Sequence, residues 1–447
     1  MGSVSHIFST LPSGVKVPPT PFRIDVSDSD LSQLRSLIQH AVIPPEQFYN
    51  KHANAETGKF GITREWLVNA RDYWLNKYDW RVQEAFINSF PQYKQTVVGP
   101  TSNQTFDLHF AALFSRREDA IPVIFMHGWP GSFLEFIPML DILRSRYTPE
   151  TLPYHVIVPS IPDYGFSTRP HDSSLEELTT EFAAEAMNEL MLSLGFDENT
   201  GYVAQGGDVG YALARTMANN FPACKTSHLN MFMFTPEQFA ACQEEPLSER
   251  EERLMAGTTA WIKQGSAYAY EHGTRPSTIA LTLMSNPVSM LAWMGEKFIE
   301  WSDNRPQGSE PLSLDKILNG VSLYWFSGVS VGQCGLIAAW CRRLAPRLLY
   351  RRIRPLKSRL GMRLSRWRLA RCPGRGGRSC LGREWCGIRN MRLVDTLLRC
   401  RSRGRFWMIW RGFWSLLRAR WGLLGVEREV VRRVTEFGIE GRWCVMR

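Results

Sequence analysis

The motif GGDVG, at Gly206–Gly210, places the carboxylate of Asp208 between small residues. An apolar run, TGYVAQ, precedes this carboxylate and a helical pattern follows it, so the sequence predicts a strand, a sharp turn and a helix. Small neighbours are typical of a nucleophile elbow, in which the backbone passes close to the following helix. A helix N-terminus favours the anionic form of a carboxylate, as a nucleophile requires. An ordinary N-cap Asp accounts for this motif alone equally well.

A second turn, HGWPGS at His127–Ser132, directly follows the apolar run IPVIFM. Backbone N–H groups of such a turn lie at the carboxyl edge of a sheet, where they can stabilise a developing oxyanion. Alone, the turn is an ordinary connection. The two turns together, with the elbow about 80 residues after the first, favour the catalytic interpretation. A Ser hydrolase is excluded because Asp208 occupies the nucleophile position.

Short apolar or β-branched runs that end in Gly, Pro or Ser alternate with helical patterns around these turns. This alternation predicts an α/β fold with a parallel sheet that is covered on both faces. In such sheets the ligand lies at the carboxyl ends of the strands, where both turns are found. The predicted strands are residues 105–114, 121–128, 154–162 and 200–207.

The N-terminal segment predicts helices. Leucine and isoleucine recur at helical spacing after Asp and Ser cap candidates, at Leu31, Leu34, Leu37 and Ile38. A second, aromatic-rich helix is predicted over residues 63–90. Its large aromatic side chains are interpreted as packing residues and not as a binding surface; they are Trp66, Tyr73, Trp74 and Trp80.

Residues 231 to about 325 lose the alternation and are predicted to be helical, as a lid over the site would be. The chain is therefore divided into an N-terminal extension (1–104), a core with the elbow (105–230), a helical lid (231–327) and a tail (328–447).

The motifs HGWPGSFLEF, PSIPDYGFS and GGDVG resemble those of the α/β-hydrolase epoxide hydrolases of the microsomal and fungal type. The leader PFRIDVSDSDLSQLRSLI resembles the N-terminal domain of that group. The stretch GSAYAYEHGTRPSTIALTLMSNPVSMLAWMGEKFIEWSD resembles its lid. The resemblance covers roughly residues 20–327 and implies an α/β-hydrolase fold with a helical lid and an N-terminal helical extension.

The resemblance also implies roles for individual residues. Asp208 would be the nucleophile that opens an epoxide and forms an alkyl-enzyme ester. The backbone N–H groups of Trp129 and Val209 would form the oxyanion hole that is used when this ester is hydrolysed. Many relatives have an aromatic residue at the position of Val209, and a backbone donor survives that difference.

Two lid tyrosines match the residues that protonate the epoxide oxygen, namely Tyr268 in SAYAYEH and Tyr324 in SLYWF. Tyr270 competes with Tyr268 for the first role. Opening of an epoxide develops an alkoxide, and a positioned acid accelerates such a step by about 10² to 10⁴. Buried tyrosines whose hydroxyls are satisfied by the backbone are the structural alternative.

The family hydrolyses its ester with water that a His activates, and an Asp or Glu orients this His. Both residues follow the lid in the family, but no His follows His272 in this chain. His272 belongs to the lid motif and His127 to the oxyanion turn. The base His and its acid partner are therefore predicted to be missing.

The tail has a different composition from the rest of the chain. Residues 331–447 contain 28 Arg, one Lys and six acidic residues, a net charge of +23, whereas residues 1–330 carry a net charge of −13. Clustered Arg with interleaved Trp could hold phosphates and stack bases, so a binder of nucleic acid or of an anionic membrane is one alternative. The tail contains neither a domain motif nor convincing zinc spacing, and we expect no nucleic-acid partner.

A shifted reading frame accounts for this composition. Read one base out of frame, codons for Leu393–Arg399 can encode GGHFAA, which resembles the catalytic His motif of the family. Three other tail strings, KSRLGM, WRLARCP and GVSVGQCGLIA, allow KPFGY, ELCPVP and SFGRSVWPYR in the same frame and in family order. We infer that the sequence leaves the family frame near Ser327 and that the last core elements of the fold are missing. The lost base would be coded across Asp395 and Thr396.

A haloalkane dehalogenase-like enzyme is the other catalytic alternative, because that chemistry also uses an Asp elbow and an ester. The two lid tyrosines favour an epoxide over a halide. The expected partners are a small apolar epoxide and water, as in detoxification or aromatic hydrocarbon catabolism, without cofactor or metal. The expected location is cytoplasmic, without a membrane span, and a homodimer is compatible with the resemblance.

Overall fold

The computed structural model describes residues 7–169, 177–231, 249–302, 312–328, 336–338 and 341. The prediction that the last core elements of the fold are missing concerns residues 328–447, most of which lie outside these ranges, and it stays a prediction. Leu336, Ile337, Ala338 and Cys341 are buried. The physical reason is that the tail carries no charged residue before position 342, so its first apolar stretch can pack.

A seven-stranded sheet forms the centre of the described chain. Its spatial order is β1-β2-β3-β5-β4-β6-β7, and the last four strands in this order run parallel. The strands are β1 (Thr20–Pro21), β2 (Gln92–Val98), β3 (Thr105–Leu113), β4 (Ile121–Met126), β5 (Tyr154–Pro159), β6 (Tyr202–Gly206) and β7 (Cys224–Leu229).

The sheet is mixed, which corrects the prediction of a parallel sheet. Strand β3 runs antiparallel to both β2 and β5. Six residues, 99–104, join β2 to β3, and seven, 114–120, join β3 to β4. A parallel crossover needs a dozen or more residues, so these short connections force the chain to reverse.

Both faces of the sheet are covered, as predicted. Successive residues of β3 alternate between two hydrophobic cores, with Phe110 and Ala112 in one and Ala111 and Leu113 in the other. This alternation follows from the two-residue period of a strand. Three helices connect the parallel strands along the chain: α5 (Ile137–Arg146), α6 (Thr180–Ser193) and α7 (Val209–Asn220).

The N-terminal helices bury their apolar sides. Helix α1 (Asp28–Gln39) begins at the cap residue Ser27 and buries Leu34 and Ile38. The predicted aromatic-rich helix is two helices, α3 (Arg64–Asn76) and α4 (Trp80–Ile87), because the side chain of Asp79 caps a new helix. Trp74 and Trp80 are buried, as packing residues should be. A four-residue helix, α2 (Phe48–Lys51), precedes α3.

The lid region is helical in its described parts. Asn286 and Pro287 divide the longest predicted run, since Asn286 caps a new helix that has Pro at its first position. Along the described residues, no helix is long and apolar enough to cross a membrane. The helices are α8 (Glu249–Gln264), α9 (Ala267–Thr274), α10 (Pro276–Leu283), α11 (Pro287–Trp301) and α12 (Leu314–Phe326).

Candidate active site

The parallel register of β4 and β6 places the two predicted catalytic turns side by side. Met126 pairs with Gly206 at the carboxyl ends of these strands. The HGWPGS turn leaves β4 directly after this pair, and the elbow leaves β6 at the same edge. Residues about 80 positions apart in sequence therefore meet.

The backbone at Asp208 is strained in the manner of a nucleophile elbow. Asp208 has φ 50° and ψ −121°, which few non-glycine residues adopt. It precedes α7 but makes no side-chain cap hydrogen bond, so the ordinary N-cap interpretation does not apply. A Cβ atom added at Gly210 would lie 2.2 Å from the carbonyl oxygen of Met126, which explains the small residue there.

The carboxylate of Asp208 lies against the HGWPGS turn. The backbone N–H of Trp129 donates to its Oδ1 at 2.8 Å, and a hydrogen bond from the backbone N–H of Val209 also lowers the pKa of the carboxyl group. A Cβ atom added at Gly128 would lie 2.3 Å from the Cβ of Asp208. The two donors that the sequence predicts thus converge on one carboxylate.

The net pKa shift of Asp208 is opposite to the expectation from its helix N-terminus. Burial raises the pKa to about 6, although the Trp129 and Val209 N–H groups lower it. Two backbone donors only partly replace the lost hydration, so desolvation prevails. Asp208 is nevertheless mainly anionic at neutral pH.

Tyr268 is connected to Asp208 through Trp129. The phenol ring stacks on the Trp129 indole, with centroids 5.1 Å apart and planes 7° apart. Tyr268 is 4% exposed, and burial followed by the negative charge of Asp208 raises the pKa of its hydroxyl well above the usual value. Trp129 therefore contacts the carboxylate with its backbone and the phenol with its side chain.

Tyr324 reaches the same turn from α12. Its hydroxyl donates to the carbonyl oxygen of Gly131 at 2.8 Å, and its ring lies 6.4 Å from that of Tyr164. The side chain is buried, so it does not point into solvent. The phenol proton of Tyr324 is therefore directed at a backbone carbonyl and not at Asp208.

The lid tryptophans belong to the surroundings of Tyr268. The rings of Trp301 and Trp261 lie 5.1 Å and 6.4 Å from that of Tyr268. Buried Lys297 places its ammonium 5.4 Å from the Tyr268 ring centroid and near two tryptophan rings, and it pairs with Glu296.

Tyr270 is only half-buried, and none of its described contacts involves Trp129 or Asp208. The structure thus places Tyr268, rather than Tyr270, beside the turn.

Of the two histidines nearest these motifs, His127 is hydrogen-bonded at both ring nitrogens, whereas His272 is bonded at Nε2 and has no hydrogen-bond partner at Nδ1 among the described residues. His127 donates from Nδ1 to the Gly128 carbonyl at 3.0 Å, and its Nε2 accepts from the Ile161 N–H at 3.2 Å. His272 accepts at Nε2 from the Trp293 indole at 3.2 Å. Burial lowers the pKa of each imidazole to about 4. Neither is placed as the missing base.

Glu135 is a titratable residue of this site that the sequence reasoning missed. It lies in a short helical turn, Phe133–Phe136, and its carboxyl group packs on Gly131, where an added Cβ atom would lie 1.8 Å from Oε1. Its position deep in the structure, and then the charge of Asp208, raise its pKa to about 8, although the side chain keeps access to solvent. The available signal was its position in FLEF, directly after the HGWPGS turn.

Two surface clefts lie away from Asp208. One is lined by Arg250, Arg253, Leu254 and Gly257, and the other by residues that include Phe22, Asp25 and Phe326. In the described ranges, no cluster of three or more His, Cys, Asp and Glu side chains could hold a metal ion.

Comparisons with known proteins agree with the geometry. A family described as "Epoxide hydrolase N terminus" matches residues 19–136, and one described as "alpha/beta hydrolase fold" matches residues 121–235. A Dothistroma septosporum protein assigned to the epoxide hydrolases is 44% identical over 320 residues, which cover 72% of this chain and 73% of that protein.

More distant relatives have the same assignment. Epoxide hydrolase 1 of Sus scrofa is 30% identical over 334 residues, 69% of each chain. The structure of Aspergillus niger epoxide hydrolase superposes with a TM-score of 0.67 at 40% identity, and the match covers 76% of this chain and 83% of that one.

Proposed function

Because the chain belongs to the epoxide hydrolases of the α/β-hydrolase fold, we propose that Asp208 is the nucleophile that opens the epoxide. One observation carries this proposal: the carboxylate sits on a strained turn, with Trp129 N–H at 2.8 Å from Oδ1. A carboxylate that merely capped α7 would instead accept from the N–H of the second or third residue of that helix.

In the first step, one Asp208 oxygen attacks an epoxide carbon and the C–O bond of the ring breaks. The departing oxygen takes a proton from Tyr268, whose ring is held on Trp129. Tyr324 is the second donor, and it must exchange its hydrogen bond to Gly131 for one to the epoxide oxygen. The products of this step are an alkyl ester of Asp208, which carries a hydroxyl group, and a phenolate at Tyr268.

In the second step, water attacks the carbonyl carbon of this ester. The carbonyl oxygen becomes an oxyanion, and the N–H groups of Trp129 and Val209 are the donors that stabilise it. The residues that hold the resting carboxylate thus hold the tetrahedral intermediate. Because no His follows His272, this step is the impaired one, and a chain without another base should react once and then stall as the ester.

The proposed substrate is a small apolar epoxide, such as an aryl-substituted one. The rings of Trp301 and Trp261 beside Tyr268 support this choice, since aromatic surfaces bind apolar groups and leave few polar partners unsatisfied. Such a substrate agrees with a role in detoxification or aromatic hydrocarbon catabolism.

The test is intact-mass analysis of the full chain after mixing with styrene oxide. The wild type should gain one substrate mass, and Asp208→Asn should gain none. In H₂¹⁸O the first turnover should place the heavy oxygen in the Asp208 carboxylate and not in the diol. Incorporation into the diol alone would contradict the ester mechanism.

A haloalkane offered in parallel separates the other catalytic alternative. Halide release at a rate equal to the epoxide reaction would contradict the epoxide assignment. Asp141→Asn, at a surface ion pair with Arg144, is the matched control and should behave as the wild type.

A further inference from the structure

Two carboxyl groups lie against one turn of the described chain. Asp208 contacts the turn at Gly128, and Glu135 contacts it at Gly131, three residues later. At each glycine an added Cβ atom would overlap the carboxylate residue, at 2.3 Å from the Cβ of Asp208 and at 1.8 Å from the Oε1 of Glu135. The HGWPGS turn therefore carries the proposed nucleophile at one end and a second titratable group at the other.

The carboxyl group of Glu135 is not committed elsewhere in the described part of the chain. Its backbone N–H donates to the Ser132 carbonyl, whereas no described residue donates a hydrogen bond to its carboxyl oxygens or forms an ion pair with them. The side chain is exposed, so water can reach it.

The electrostatics connect Glu135 with Asp208. The charge of Asp208 raises the pKa of only two described groups, the phenol of Tyr268 and the carboxyl group of Glu135. The phenol is suited to give a proton to the epoxide oxygen. The carboxyl group is suited to exchange a proton with water.

The other described groups near the turn are less suited to this role. His272 packs its ring on Trp129 at 4.7 Å and leaves Nδ1 without a hydrogen-bond partner in the described part of the chain, but burial lowers its pKa to about 4, which makes it a weaker base than Glu135. Both ring nitrogens of His127 are hydrogen-bonded, as are those of His109, which contact Ser160 and Gln92. The Tyr324 hydroxyl donates to Gly131, and a phenol is too weak a base at neutral pH.

We propose that Glu135 is the general base that takes a proton from the water that attacks the Asp208 ester. This inference rests on the proposed function and extends it, because it assigns the ester-hydrolysing step to a residue of the chain as it stands. It predicts slow turnover where the missing His alone would predict a permanent stall.

The proposed step balances. The carboxylate of Glu135 takes one proton from water, and the water oxygen forms a bond to Cγ of the Asp208 ester. The tetrahedral intermediate then breaks its bond to the alkyl oxygen. That oxygen takes the proton from Glu135 and leaves as the diol, which regenerates the Glu135 carboxylate. Asp208 is released as the carboxylic acid, and its proton returns through water to the phenolate that the first step left at Tyr268, so Asp208 is a carboxylate again.

The charge change of the first step supports this order of events. Alkylation converts the Asp208 anion into a neutral ester, so the charge that hinders ionisation of Glu135 is removed. Glu135 then becomes a carboxylate more readily in the ester than in the resting enzyme. The charge of Asp208 is the coulombic cause of the raised pKa of Glu135, so the base becomes available when the ester forms.

The test follows the loss of the ester adduct by intact mass after excess epoxide has been removed. Glu135→Gln should still form the adduct and should lose it about 10²-fold more slowly than the wild type, the usual contribution of a general base. Formate added to Glu135→Ala should restore part of the rate, which a structural role would not allow. Glu118→Gln, at an exposed glutamate, is the control and should match the wild type.

A pH series on the wild type tests the same inference without any variant. The rate of adduct loss should rise and level off below about pH 8, where Glu135 has ionised. A rate that keeps rising about tenfold per pH unit would indicate hydroxide attack and would overturn the inference. Equal adduct loss in wild type and Glu135→Gln would also overturn it, whereas failure of the wild type to form any adduct would overturn the proposed function itself.

Discussion

The two sides of the site position their reactive groups by different interactions. On the strand side, backbone groups of the 127–132 turn and of the elbow hold Asp208 within hydrogen-bond distance. On the lid side, Tyr268 is positioned by side-chain stacking on Trp129 and by the ring of Trp301. Backbone donors at strand ends are fixed by sheet register, whereas stacked rings depend on how helices pack. Substitutions on the strand side should therefore destabilise the protein more than substitutions on the lid side.

The same contrast governs ionisation. Burial raises the pKa of both Asp208 and Tyr268, but only Asp208 receives backbone N–H donors, which hold its pKa at about 6. Tyr268 stays protonated. The difference provides an anion and an acid in one place, which is the pair that opening of an epoxide requires.

Removal of the lid acid should have the largest effect on the first step. Tyr268→Phe should slow adduct formation by about 10² to 10⁴, because the ring stack remains and only the proton donor is lost. Tyr324→Phe should slow it less, since its hydroxyl must first leave Gly131. Rapid-quench intact mass measures both rates. Equal losses would show that the two phenols act as a symmetrical pair.

A glycine pair tests which side tolerates change. Gly210→Ala should destabilise the protein by about 1–3 kcal/mol, because the new methyl group meets the Met126 carbonyl oxygen at 2.2 Å. Gly320→Ala, on the lid helix α12, places its methyl group 3.3 Å from the end of the Phe298 ring, which can move. We expect less than about 1 kcal/mol there. The urea midpoint of each variant is the measurement, and the reverse ranking would refute the contrast.

Acidification should protonate the nucleophile Asp208 and stop its attack, while Tyr268 keeps its proton. Asp208 must be anionic to attack, and its raised pKa of about 6 means that the reactive fraction falls as the pH drops through that value. Adduct formation should therefore decline about tenfold per pH unit below 6. Rates measured between pH 4.5 and 8 test this sign. A decline that began only near pH 4 would mean that burial does not govern Asp208.

Lys297 should have the smallest effect. Its ammonium lies over the rings of Tyr268, Trp293 and Trp301. A cation–π contact of this kind stabilises the folded protein by about 0.5–2 kcal/mol. Lys297→Met keeps the volume and should lower stability by about 1 kcal/mol, with adduct formation reduced only a few-fold. Lys297→Arg should recover most of the loss. Thermal unfolding with Trp fluorescence provides the comparison.

The local features of the strand side could be predicted from the sequence. The GGDVG and HGWPGS turns each follow an apolar strand, and parallel neighbours bring their carboxyl ends to one edge. Helix α1 begins at Ser27, as the cap pattern indicates. The tail prediction and the shifted frame near Ser327 stay predictions, and the nucleotide sequence around codon 327 tests them.

Other features depended on contacts between distant segments. The position of β2 and the reversed direction of β3 follow from short connections. The alternation of apolar runs and helical patterns does not indicate strand direction. The hydroxyl of Tyr324, a predicted proton donor, contacts the Gly131 carbonyl. Side-chain hydrogen bonds between residues 193 positions apart cannot be read from spacing alone.

The sequence by itself determined which chemistry the chain can attempt, because residue types and turn motifs fix the available nucleophile, donors and acids. The tertiary structure decided how strongly each group holds its proton. Burial reversed the expected pKa shift of Asp208, and the fold of one turn brought Glu135 under the influence of Asp208. Desolvation and charge coupling depend on the three-dimensional surroundings of a group, and these exist only after distant segments have packed together.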